Sequence, residues 1–150
     1  MLVATPRGPM LKPILIVDDD ADMRRVLRDA LGPLGPIAEA AGGADALRVL
    51  RAGPARLVIL DVAMPGLGGL EVLAEALDLR PGLLVVMLTG DTDIESARFA
   101  LDLGARAYVT KPFDAAFLRA EISRQLQAGS RPRGERPPWR LLDDADPGPS

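Results

Sequence analysis

The chain has 150 residues, 48% of them hydrophobic, and a net charge of −3: enough for one domain with a real core, and unsuited to strong nucleic-acid binding on its own. It contains no Cys and no His, which excludes disulfides, thiolate and imidazole metal ligands and a histidine base, so any metal would be a hard cation on oxygen. No stretch reaches the roughly 20 apolar residues of a membrane span, and the opening MLVATPRGPMLKP lacks the apolar core of a secretory signal, so a cytoplasmic location is expected.

Residues 1–11 read as an N-terminal extension. The first strand candidate, Ile14 to Val17, runs into three consecutive carboxylates, Asp18, Asp19 and Asp20. Two unit charges about 4 Å apart repel by roughly 4 kcal/mol at an effective dielectric near 20, so the three either fan into water or share a cation. Met23, Val26, Leu27 and Leu31 form the stripe of a first helix, with Asp20 as its N-cap and Gly32 at its stop. A weaker strand, Ile37 to Ala40, precedes a helix over Ala44 to Leu50 that Gly53 closes. Leu57 to Leu60 is the third strand and leads into Asp61 within LVILDVAMPG; the GLGGL beyond it reads as a turn and flexible connection. Leu70, Leu73 and Leu77 mark the third helix, and Leu83 to Leu88 the fourth strand, followed by Thr89 in LTGD. Asp91 would cap a fourth helix over Ile94 to Leu101, with Phe99 off its apolar stripe and Gly104 past its end. The weak strand Ala107 to Val109 precedes Lys111 and Pro112, and Asp114 caps a last helix bearing Leu118, Ile122 and Leu126. Residues 128–150, rich in Pro, Gly and Arg, read as a linker or tail.

Five βα units with strands apolar on both faces predict a parallel sheet covered by helices on both sides. Ligands of such sheets bind beyond the carboxyl ends of the strands. Asp18, Asp19, Asp61, Thr89 and Lys111 all fall at strand ends on that one edge. Any one of them alone would be an ordinary loop residue.

In order and spacing, IVDDD, LDVAMPG, LTGD and YVTKPF resemble the receiver domain of two-component response regulators over residues 12–127. The resemblance implies a flavodoxin-like (βα)5 doubly wound fold with strand order 2-1-3-4-5. It also implies Asp61 as phosphoryl acceptor, with Mg²⁺ (or Mn²⁺) on Asp18, Asp19, Asp61 and the backbone carbonyl of Ala63. Lys111 would pair with the phosphoryl oxygens, aimed by a cis bond to Pro112, while Thr89 and Tyr108 would act as the switch. Asp20 is left to its helix cap. The implied donor is a sensor histidine kinase or phosphotransfer protein. A homodimer through the fourth helix, fifth strand and fifth helix is a further implication, with Phe99 and Arg106 as partner-face candidates. Three positions stand out against common family patterns. Ala63 and Asp91 lie two residues past Asp61 and Thr89, positions that modulate phosphoryl lifetime in receivers, and Arg106 stands where regulators with winged-helix outputs usually carry an acid.

The domain is expected to turn over no separate substrate. It would gain and lose only its own phosphoryl group. DNA would be reached only through an output domain outside these residues, WRLLDD from Trp139 being a candidate opening of one. A stand-alone regulator acting by protein contacts is the alternative. A haloacid-dehalogenase-type phosphatase would use Asp18 and Asp20, but Asp22 stands where Thr or Val belongs, no later strand supplies the required acidic pair (LLDDAD lies in the Pro-rich tail), and Asp61 would have no task. A receiver fold kept only for unphosphorylated interaction would ordinarily have lost part of the acid, Thr and Lys set, which is complete here.

Overall fold

The structure, a computed structural model, describes residues 11–64, 66–90 and 94–129. The N-terminal extension before residue 11, the Asp91 cap and the tail from residue 130 lie outside the described residues. Five strands, β1 (Ile14–Val17), β2 (Ile37–Ala40), β3 (Leu57–Asp61), β4 (Val85–Thr89) and β5 (Ala107–Thr110), alternate with five helices. These are α1 (Ala21–Leu31), α2 (Gly43–Ala52), α3 (Gly69–Leu79), α4 (Ile94–Leu103) and α5 (Ala115–Ala128). All strands pair in parallel in the order β2-β1-β3-β4-β5. The order reverses after β2, and it does so beside β1, where the acidic triplet emerges.

The central strands are apolar on both faces because both faces are covered. Ile14, Ile16, Ile59 and Val86 pack with Leu27, Leu31, Leu118 and Ile122 of α1 and α5. Leu15, Leu60, Val85 and Met87 pack on the other side with Leu47, Leu50, Val72, Leu73 and Ala100 of α2, α3 and α4. Caps fix where the helices begin: Asp20 accepts from the Asp22 amide and Asp114 from the Phe117 amide, each at 2.9 Å. Gly104 closes α4 with φ +127°, a conformation that L side chains rarely adopt.

Three expectations change. Val26 is 48% exposed, because the buried face of α1 is Leu27, Ala30 and Leu31, with small alanine completing it. GLGGL is no flexible connection throughout: Gly68 caps α3, its amide donating to the Glu71 carboxylate at 2.9 Å, and Gly69 is the first helical residue, buried. The strand expected from Leu83 begins at Val85. A short 3-10 turn, Gly32–Leu34, also follows α1, with Pro33 in its first positions.

At the amino end of the strands Lys12, Arg56 and Arg80 line an open cleft. Arg56 donates to the carbonyls of Lys12 and Leu34, and Arg80 to that of Leu50 in the last turn of α2. No helix among the described residues is long and apolar enough to cross a membrane.

Candidate functional site

The opposite edge holds the acids. Asp18 follows β1 directly, Asp61 and Thr89 are the last residues of β3 and β4, and Lys111 follows β5. Parallel strands in register, Val17 beside Leu60 and Asp61 beside Leu88, bring these ends level. Asp18 and Thr89 are 1% exposed and Asp61 6%, whereas Asp19 is open to solvent.

Each of Asp18, Asp19 and Asp61 offers a carboxylate oxygen within 4.8 Å of the others. Lys111 Nζ bridges two of them, 3.3 Å from Asp18 Oδ2 and 3.5 Å from Asp61 Oδ2. Asp61 Oδ1 accepts from the Ala63 amide at 3.1 Å, and Asp18 Oδ1 from the Asp20 amide at 2.9 Å. Burial pushes the Asp61 carboxyl above its ordinary value, and the Asp18 charge pushes it further; Lys111 and the Ala63 amide oppose this without cancelling it. One ammonium does not balance three acids. The donor set, all oxygen and crowded past what Lys111 offsets, fits a hard divalent cation. Asp20 faces away, at the head of α1.

The remaining sequence-derived candidates surround this cluster or lie beyond it. The Thr89 hydroxyl donates to the Gly90 carbonyl at 3.1 Å, and the Lys111 amide donates to the Thr89 carbonyl at 2.8 Å. The Lys111–Pro112 peptide is cis. Tyr108 is half-buried, packed against the core that α2, α3 and α4 cover. Phe99 is 54% exposed on α4. Arg106 precedes β5, at the other end of the strand from Lys111, and its guanidinium donates to the Gly129 carbonyl at the end of α5.

Sequence reasoning missed three residues that shape the site. Gly69 packs so closely on β3 that a Cβ there would stand 2.4 Å from the Asp61 carbonyl oxygen. Arg24 donates to the Asp18 carbonyl at 2.7 Å and to Glu39 at 3.1 Å. No local signal marks the pairing of Arg24 with Glu39, since it depends on β2 lying beside β1.

The sequence model of the family described as "Response regulator receiver domain" matches residues 14–123, which include all five described strands and Asp18, Asp19 and Asp61. The chain belongs to this family. Among relatives, the receiver is 38% identical over 122 residues to "Probable transcriptional regulator ycf27" of Cyanophora paradoxa, covering 81% of this chain and 51% of that protein. It is 34% identical over 120 residues to "DNA-binding transcriptional regulator NtrC" of Azospirillum brasilense, covering 79% of this chain and 25% of that one. The receiver thus spans about half of the first relative's length and a quarter of the second's. Among solved structures, the receiver domain protein (CheY-like) from Methanospirillum hungatei superposes with a TM-score of 0.74 at 34% identity, over 79% of this chain and 95% of that one.

Proposed function

We propose that this receiver accepts a phosphoryl group on Asp61 from the phosphohistidine of a sensor histidine kinase or phosphotransfer protein. The observation that supports it best is the setting of Asp61, a carboxylate almost withdrawn from water, with Lys111 Nζ at 3.5 Å and Asp18 in the same cluster. These 150 residues contain no His, so the phosphohistidine lies outside them. An Asp61 Oδ forms the new O–P bond as the N–P bond breaks, and the leaving imidazole nitrogen takes up a proton. Asp18, Asp19, Asp61 and the Ala63 carbonyl would hold Mg²⁺ or Mn²⁺. When bound, the ion neutralises charge on the acids and on the transferring oxygens.

Lys111 already reaches both Asp18 and Asp61 and so needs little motion to donate to a phosphoryl oxygen. Thr89 exchanges its bond to the Gly90 carbonyl for one to the phosphoryl group, and Tyr108 follows inward behind it. This alters the face of α4, β5 and α5, where Phe99 is exposed and where a second copy would pair. The domain turns over no other substrate; it gains the group and loses it by hydrolysis. Relatives named as transcriptional regulators support control of transcription as the output, with DNA contacted by residues outside this receiver.

The test is incubation with acetyl phosphate and Mg²⁺ followed by intact-mass measurement. The wild type gains one phosphoryl group and Asp61→Asn gains none. An adduct that persists in Asp61→Asn and disappears in Asp18→Asn would give the chemistry to a dehalogenase-type nucleophile instead.

A further inference from the structure

Asp18 is held on four sides. Its amide donates to the Ala40 carbonyl at 3.2 Å, its Oδ1 accepts from the Asp20 amide at 2.9 Å, and its Oδ2 meets Lys111 Nζ at 3.3 Å. The fourth bond runs from Arg24 Nη1 to the Asp18 carbonyl oxygen at 2.7 Å. That carbonyl lies past the end of β1, and a residue in the first turns of α1 takes it up.

Arg24 is itself aimed. Its Nε donates to Glu39 Oε1 at 3.1 Å, and the two side chains are only 19% and 22% exposed. Glu39 sits on β2 in register with Ile16 of β1, and its other oxygen meets Arg28. A guanidinium presents its donors in a rigid planar fork, so anchoring one N–H on Glu39 sets the direction of another.

Successive side chains of an extended strand point to opposite faces. Asp18 and Asp19 are adjacent, yet both carboxylates reach one cluster with Asp61. The peptide that joins them must therefore be turned out of the strand pattern and kept there. A peptide unit is planar, so fixing its oxygen, which is the Asp18 carbonyl oxygen, also fixes where the Asp19 Cα stands. No hydrogen bond or ion pair to another described residue restrains Asp19 itself, so this peptide is what places it.

We infer that Arg24, aimed by Glu39, is a positioning residue for the cation site: by gripping the Asp18–Asp19 peptide it presents two adjacent carboxylates to one divalent ion. This rests on the cation-dependent reading of the site given above. Arg28 provides the control, because it contributes the same charge to Glu39 and holds no hydrogen bond or ion pair to Asp18.

The experiment titrates Mn²⁺ against the whole chain, with the free ion followed by electron paramagnetic resonance. Arg24→Gln should bind Mn²⁺ about tenfold more weakly, in the range found when partners behind metal ligands are removed. Glu39→Gln should lose a few-fold and Arg28→Gln nothing. At saturating metal, Arg24→Gln should take up phosphoryl from acetyl phosphate at close to the wild-type rate, the defect lying in the metal concentration needed. Wild-type affinity in Arg24→Gln, or an equal loss in Arg28→Gln, would overturn the inference and leave the function reading intact. A wild-type chain that binds no Mn²⁺ overturns both. Should Arg24→Gln fail to fold, Arg24→Lys keeps the charge but loses the rigid fork that sets one donor's direction by anchoring another; unchanged affinity in that variant would equally refute this positioning by the fork.

Discussion

Gly69→Ala probes the contact between β3, which ends at Asp61, and the helix that follows it. A Cβ at this position would stand 2.4 Å from the Asp61 carbonyl oxygen, 2.8 Å from Val62 Cα and 2.9 Å from the Val62 carbonyl oxygen. All three are backbone atoms and cannot rotate away. Ordinary contact starts at 3.4 Å, so either the head of α3 or the Asp61 peptide must move by about 1 Å, a displacement that can slow chemistry ~100-fold. Overpacking of this kind costs about 1–3 kcal/mol, while alanine's helix propensity returns at most ~1 kcal/mol. With that full return the net loss is up to about 2 kcal/mol, and each kcal/mol lowers Tm by about 2–4 °C in a chain of this size. Gly68→Ala is the matched control. Its Cβ would meet only the far end of Glu71, at 3.4 Å, and its φ of −74° suits any residue, so a change within about 0.5 kcal/mol is expected. Urea unfolding followed by circular dichroism gives the stability, and intact mass after acetyl phosphate gives the uptake. A Gly69→Ala protein with wild-type midpoint and uptake would refute the close-contact argument, as would equal damage from Gly68→Ala.

Asp19→Ala should weaken Mg²⁺ binding strongly while Asp20→Ala leaves it nearly unchanged, since Asp20 caps α1 and stands outside the cluster; equal effects in a calorimetric titration would contradict that division. Without divalent ions, Asp61 contributes a pH dependence of known sign. Its folded carboxyl lies above the ordinary 3.8, so the folded chain holds the proton more tightly than the unfolded one, and stability present below 3.8 is lost as pH rises through the folded value. Asp61→Asn should remove that loss and unfold at higher urea than the wild type at neutral pH; an equal or lower midpoint in metal-free buffer would speak against it.

The sheet was legible because parallel strands buried on both faces must be apolar runs, and Leu57 to Leu60 has no other easy home. The gathering of Asp18, Asp19, Asp61 and Lys111 was legible because strand ends share one edge once the sheet is parallel. Packing that depends on small residues was not. Val26 looked like core, yet Ala30 takes its place, and Gln125 is 6% exposed on α5 although its amide would be placed outside by lettering. Arg24 and Glu39 carry ordinary surface letters 15 positions apart, and only the pairing of β2 with β1 makes them partners. Gly69 read as flexibility because a glycine needed for close approach and one needed for a turn look the same in a sequence.

Lys111 and Asp18 meet across 93 positions of sequence, and Asp61 enters the same cluster from the middle of the chain. No local segment carries this site. It comes into being only when β1, β3 and β5 have all taken their places, late in any folding route that must first close such long loops. A ligand of the acidic edge therefore binds the native chain and finds no counterpart in the unfolded one. By mass action, a free ligand at ten times its dissociation constant adds about 1.4 kcal/mol to the folding equilibrium. A divalent ion held by Asp18, Asp19 and Asp61 would therefore stabilise the same fold that assembles its site.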